Sequence, residues 1–192
     1  NVNSDGSDTR TTKSDGTTEL PREVVSINTT AQTGEVHFKA NLTNTTDEVF
    51  WIYYNNSGAS EPAANSTFGS ENVWSNGYLG VWHFEEVGAG SLSDYEDSTT
   101  NGIHGQGGEG NSSAVPSQSS SFIGMGQDFD GVDDYIFLGS NSLLNITSEY
   151  SISLWVRPDT FGENQYGRIF SKRTVGGSAG IEFLMNNESS NP

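Results

Sequence analysis

Gln127-Asp-Phe-Asp-Gly-Val-Asp-Asp-Tyr-Ile136 is the stretch on which the reading of the fold turns. Phe129 closes one β-type segment, Asp130-Gly131 signals a turn, and Tyr135 opens the next segment. Asp-Gly between β-forming residues is a hairpin signature, because glycine takes positive φ without steric cost. Four aspartates fall in the same stretch: Asp128, Asp130, Asp133 and Asp134. Such an oxygen-rich, Gly-containing turn also suits Ca²⁺, which accepts carboxylates and backbone carbonyls in flexible geometry. The residue order and terminal Glu of an EF-hand loop are absent. The stretch therefore reads either as a plain hairpin or as one that adds a cation at Asp133 or Asp134.

Outward from it, short apolar clusters recur between runs of Gly, Ser, Asn and Thr. Residues 23–27 are a short strand. Residues 35–40 alternate, with Val36, Phe38 and Ala40 on one face and Glu35, His37 and Lys39 on the other. Residues 49–54 are apolar on both faces and are expected to be a central strand covered from both sides. With the Asp5-Gly6 and Asp15-Gly16 turns, these segments make a small β-meander module over residues 1–57. Residues 58–77, polar and containing Pro62, read as a linker. Further strands are expected at 79–84, 121–129, 135–138, 150–156, 168–172 and 180–185, with 87–121 a long aperiodic loop. No helical stripe appears. The expected fold class is all-β: an antiparallel jelly-roll β-sandwich over residues 78–192, preceded by the small β module.

Composition sets the compartment and excludes partners. The 192-residue chain has 25 acidic residues against 8 Lys and Arg, a formal charge of −17. That field repels nucleic acid and anionic lipid. The acidic residues are scattered rather than gathered in a tail, which favours adaptation to high salt over simple acidity around cation sites. Hydrophobic content is only 32%, yet 11% of residues are aromatic, so a thin core rather than disorder is expected. Cysteine is absent, which removes disulfides, thiolate metal sites and a Cys nucleophile. No apolar run is long enough to span a membrane. N-x-[ST] sequons begin at Asn28, Asn41, Asn44, Asn55, Asn65, Asn111, Asn145 and Asn187. Chance accounts for a share of these in a chain so rich in Asn, Ser and Thr; the excess favours an outside surface.

From Tyr78 onward, several motifs recur in a characteristic order. They are Gly80-Val-Trp-His-Phe84, Asp97-Ser-Thr-Thr-Asn-Gly-Ile-His-Gly105, the 127–136 stretch, Tyr150-Ser-Ile-Ser-Leu-Trp-Val-Arg-Pro158 and Arg168-Ile-Phe-Ser-Lys172. In this order and spacing they resemble the laminin-G-like (concanavalin A-like) jelly-roll family. Upstream, Ser7-Asp-Thr-Arg10, Asp15-Gly-Thr-Thr-Glu-Leu-Pro21 and Trp51-Ile-Tyr-Tyr-Asn55 resemble the later part of a domain of unknown function. That domain commonly precedes such a jelly roll in archaeal and bacterial surface proteins. The resemblance implies an extracellular, cell-surface location and a binding or scaffolding role, without naming a ligand. It also implies a jelly roll incomplete at its C-terminus and an upstream module without its opening strands, a junction cut from a larger polypeptide.

Candidate site residues follow from chemistry and alternation. Asp97 and Asn101 could supply oxygens to a cation; equally, Asp97 could bond its own backbone while Asn101-Gly102 turns. If Ca²⁺ is bound, Asp97 meeting Asp133 and Asp134 is the expected ligand set. Trp155 shares a strand face with Ser151, Ser153 and Arg157, opposite Ile152, Leu154 and Val156. Trp155 and Arg157 thus form a candidate sugar platform, unless loops cover the indole. His83, alternating with Trp82 and Phe84, reads as a structural polar residue, and no H-x-x-x-H or H-E-x-x-H pair suggests zinc. Glucanases on this type of sandwich need two carboxylates about 5–9 Å apart across the bond they cut. Here Glu85 and Glu86 should point to opposite faces, and Glu182 is the lone carboxylate of its strand. The expectation is a non-catalytic surface recognition or adhesion module binding glycans or a surface protein, assisted by Ca²⁺. The alternatives are a structural spacer of a large envelope protein and an accessory carbohydrate-binding domain of a secreted glycoside hydrolase.

Overall fold

The computed structural model describes residues 1–162, 166–173 and 180–186. Its regular structure is all-β: antiparallel strands and short 3-10 turns, with no α-helix among the described residues. The strands are β1 (Arg10–Lys13), β2 (Glu19–Leu20), β3 (Arg22–Asn28), β4 (Thr33–Phe38) and β5 (Phe50–Tyr53), then β6 (Gln106–Gly107), β7 (Ser117–Ser120), β8 (Met125–Asp128), β9 (Ile136–Phe137), β10 (Tyr166–Arg173) and β11 (Gly180–Asn186). They pair into one three-stranded sheet, β2-β1-β5, and the two-stranded pairs β3-β4, β6-β9, β7-β8 and β10-β11.

The Asp15-Gly16 signal makes the β1-β2 turn. Gly16 sits at φ 69, and the Asp15 carboxylate accepts from Thr17 N at 2.9 Å, Thr18 N at 2.8 Å and Thr18 Oγ1 at 2.5 Å. Those bonds, the Thr18 hydroxyl foremost, hold the Asp15 carboxyl down at about 2. β5 differs from expectation. It returns to pair with β1 as an edge strand, so no sequential meander forms. Trp51, Ile52 and Tyr53 are about half exposed rather than covered on both sides.

The 58–77 segment is not a free linker. Arg22, on β3, has no exposed surface, and its guanidinium reaches into that segment. Its Nε donates to Thr9 O at 2.6 Å, while Nη1 and Nη2 fork onto Glu61 at 3.0 and 2.8 Å. The Arg22 amide donates to Phe68 O at 3.2 Å. One buried cation thus binds the N-terminal loop, β3 and the supposed linker together.

Three further expectations change. Residues 79–84 and 150–156 form no ladder, and Ile152, Leu154 and Val156 stay substantially exposed because no opposing sheet meets them among the described residues. The 127–136 stretch is not a β8-β9 hairpin: β8 pairs back onto β7 and β9 onto β6. The 87–121 region holds β6, β7 and the buried side chains Tyr95, Ile103, Ala114 and Pro116. Periodicity missed it because burial there is achieved by turns, a Tyr95–Gly105 bridge and close glycine packing rather than by alternation.

Glu61→Ala should lower stability by about 1–3 kcal/mol. It leaves a buried guanidinium short of two acceptors, although water reaches the half-exposed Glu61 position and softens the loss. Urea unfolding measures it; unchanged stability would remove Arg22 as the anchor. For the first turn, a carboxyl whose folded pKa is depressed stabilises above its ordinary value and loses that contribution as pH falls through the folded one. Carbon-detected NMR should therefore place the Asp15 midpoint near about 2 rather than the usual 3.8.

Candidate functional site

The acidic turn gathers Asp130, Asp133 and Asp134, whose carboxylate oxygens lie within 4.8 Å of one another on the surface. The turn is also self-capped. Asp130 Oδ1 accepts from Val132 N at 2.8 Å, and Asp130 N donates to Asp134 Oδ2 at 2.9 Å. The oxygen set matches the hard-ligand preference of Ca²⁺. Asp133 and Asp134 are therefore together as expected, but their companion is Asp130, not Asp97.

Asp97 is buried and fully employed elsewhere. Its Oδ1 accepts from Val81 N at 3.0 Å and Thr99 N at 2.9 Å; its Oδ2 accepts from Thr99 Oγ1 and Ile103 N, both at 2.9 Å. Asn101 closes the same turn, donating to Leu79 O at 3.1 Å, with Gly102 at φ 60. With four donors converging, Asp97 is a staple between the 79–86 segment and the 97–105 turn. Its assignment as a cation ligand is corrected accordingly.

Trp155 is 74% exposed and lies against Phe122, itself 80% exposed, with ring centroids 5.0 Å apart and planes tilted by 32°. Arg157 is exposed nearby in sequence. Among the described residues no loop covers the indole. Asn28, Asn41, Asn44, Asn65, Asn111 and Asn145 are all exposed, although Asn28 and Asn111 spend their side-chain carbonyls capping local turns.

The cluster that sequence reasoning missed lies where β3 and β4 meet the 74–86 segment. Residues two apart on a strand share a face, which puts Glu35 beside His37. The register then sets Glu23 opposite His37. His37 Nε2 lies 2.6 Å from Glu35 Oε1. His83 comes from outside the hairpin: its Nε2 is 3.1 Å from Glu23 Oε2, and its Nδ1 is 3.7 Å from Glu35 Oε1. The two imidazoles stack, with centroids 4.9 Å apart and planes 24° from parallel. Trp74 packs on both rings and donates its Nε1–H to Glu23 Oε2 at 2.5 Å.

Electrostatics here are strongly negative. Burial works against charge on His83, but the hydrogen bond to Glu23 and the charges of Glu23, Glu35 and Glu86 outweigh it and raise the imidazole above its ordinary value. Burial likewise opposes the Glu23 carboxylate, yet its bonds to His83, Ser98 and Trp74 hold it below the usual range. A Cβ on Gly124, at φ 56, would fall 1.6 Å from Glu85 Oε1 and 2.9 Å from Glu35 Oε2, so only glycine lets both carboxylates crowd this spot. Phe84, next to His83, adopts φ 59, a left-handed conformation that costs a bulky residue of order 1–3 kcal/mol. Beside the cluster, His37, Phe38, Val73, Trp74 and Tyr78 line an open groove of about 220 Å³. That is smaller than the roughly 300–1,000 Å³ of a drug-sized ligand pocket. The predicted polar face of β4 is thus an internal contact. Its sequence signal was Glu35-x-His37 on one strand face; the third partner, His83, carries no signal of its own.

Glu85 and Glu86 diverge: Glu85 accepts from Met125 N at 3.0 Å and Glu86 from Glu96 N at 2.8 Å. Glu182 takes Ser171 Oγ at 3.0 Å and Arg168 Nε at 3.3 Å. No helix of the described residues is long and apolar enough to cross a membrane. No family model, curated protein or solved structure matches the chain.

The staple and the turn should separate on mutation. Asp97→Ala should cost about 2–4 kcal/mol, since four donors lose a charged acceptor in a buried setting. Asp133→Asn, on the surface, should change stability by less than about 0.5 kcal/mol. Denaturant midpoints of the two variants decide; equal effects would refute the staple.

Proposed function

We propose that this chain is a non-catalytic recognition module of an extracellular, cell-surface protein, built on a laminin-G-like jelly roll and binding glycans or a surface protein. The observation that carries the reading is the Phe122–Trp155 pair, two large aromatic side chains with most of their surface in water. Exposed aromatic area is costly to leave in water, and contiguous patches of it mark interaction sites. A flat indole presents an apolar face for the C–H face of a sugar ring, and Arg157 adds a donor fork for hydroxyl or carboxylate groups. In this reading Ca²⁺ at the Asp130, Asp133 and Asp134 turn assists by ordering the loop that leads to β9. The exposed sequons and the −17 charge fit an outside, salt-rich setting.

A structural spacer is the competing reading. It is favoured by the groove being small and open, with no enclosed ligand cavity prominent in the described residues.

Glycan-array binding of the 192-residue chain, run with Ca²⁺ and with chelator, distinguishes the two. The recognition reading expects binding that Trp155→Ala weakens at least about tenfold, the scale of one lost aromatic anchor. No binding in either condition would favour the spacer.

A further inference from the structure

The geometry points to a second cation site, for a Zn²⁺-class divalent transition metal, held by Glu35, His37 and His83 with Glu23 as the outer carboxylate. The inference is independent of the glycan reading and of the Ca²⁺ turn. Glu23 Oε2, an ionised carboxylate, can only accept, so His83 Nε2 at 3.1 Å must carry the hydrogen. As a metal ligand the ring would be neutral, and its other nitrogen, Nδ1, would then present a lone pair. That lone pair faces Glu35 Oε1 at 3.7 Å, another acceptor. A divalent ion between the two would bridge a gap too long for a hydrogen bond.

The three candidate ligand atoms, one each from Glu35, His37 and His83, lie within 4.8 Å of one another. Zinc binds nitrogen at about 2.0–2.1 Å and carboxylate oxygen at about 2.0–2.2 Å, so tetrahedral ligands sit roughly 3.3 Å apart. The 2.6 and 3.7 Å separations to Glu35 bracket that spacing, and binding would turn the two stacked imidazoles so that both ring planes meet the ion. Two imidazoles and one carboxylate, with no thiolate in the chain, select Zn²⁺ or Cu²⁺ over Ca²⁺ or Mg²⁺. Three protein ligands leave a fourth position for water.

The surroundings carry the design further. Metal-bound histidines characteristically donate their second N–H to a carboxylate, which fixes the tautomer and aims the ring. Glu23 stands in that position behind His83, and it is itself held by the Trp74 indole. Two carboxylates stand against the one His83 ring, Glu23 at 3.1 Å from Nε2 and Glu35 at 3.7 Å from Nδ1, a charge balance that a divalent ion would suit. Lys39 lines the adjoining groove, but its ammonium is directed to Ser75 Oγ at 2.7 Å.

The test uses the full 192-residue chain without a histidine tag, stripped with chelator at pH 7.5. Zn²⁺ is titrated by calorimetry, and Co²⁺ serves as a visible-absorption probe of tetrahedral nitrogen and oxygen coordination. The expected result is one Zn²⁺ per chain, a Co²⁺ band that Zn²⁺ displaces, and a higher melting temperature with metal. His37→Gln, at a partly exposed ring, should abolish the Co²⁺ band while far-UV circular dichroism stays unchanged. Glu23→Gln should weaken Zn²⁺ about tenfold to a hundredfold, as expected for loss of an outer carboxylate. Should Glu23→Gln not fold, His37→Gln alone carries the decision. Absence of Zn²⁺ heat and of a Co²⁺ band in the native protein would overturn the site, leaving a proton as the shared charge. Full Zn²⁺ affinity in His37→Gln, or its loss in Asp133→Asn, would overturn it equally by moving the metal elsewhere.

Discussion

A guanidinium with no exposed surface has to be met by acceptors on every side, and Arg22 meets them by drawing separate parts of the chain together. Thr9 from the N-terminal loop and Glu61 from the 58–77 segment converge on it, while its own amide takes Phe68 O. Breaking such an arrangement is far costlier than never having built it, because the stranded charge keeps its desolvation penalty. The next residue on β3, Glu23, points to the opposite face and performs the same task there. It receives Trp74 and His83, and so ties the hairpin to the 74–86 segment. Two consecutive residues of one strand therefore organise both flanks.

The same economy governs the interior. Among the described residues, six apolar side chains, Pro116 included, are buried against nine polar or charged ones, including Thr11, Arg22, Glu23, Asp97 and Thr99. A chain with 32% hydrophobic content has little apolar area to remove from water. It relies instead on satisfied polar groups, whose net contribution is modest when made and whose loss is expensive. Asp97, with four donors, and the Glu23–His83–Glu35–His37 cluster are the two places where that rule is most concentrated. Both are built from turns and strand edges rather than from a sandwich core.

Much of the local structure was legible from residue pattern. β3, β4, β8, β9, β10 and β11 fall where short apolar alternation placed strands, and Asp15-Gly16 makes its turn. These features depend on neighbours a few residues apart, so period and turn chemistry suffice. The failures share a cause. β5 reads as a doubly covered strand from its apolar run, yet burial requires a second layer that none of the described residues supplies. Residues 87–121 read as open loop, yet Tyr95, Asp97 and Ile103 are buried there by contacts that have no period. Of the site residues, Asp133 and Asp134 lie with Asp130 and Asp97 goes to a different task, while Trp155 is exposed along with Ile152, Leu154 and Val156 because residues 150–156 form no strand.

By itself the sequence determined the all-β class, the acidic surface and the absence of thiol chemistry, because each follows from composition or from local residue pattern. Only the tertiary structure decided that Glu61 closes on Arg22 across 39 residues, and that His83 reaches Glu23 across 60. Those pairings are set by where a buried charge can find its counter-charge in space. That constraint acts on the folded chain as a whole and leaves no periodic trace in the order of residues.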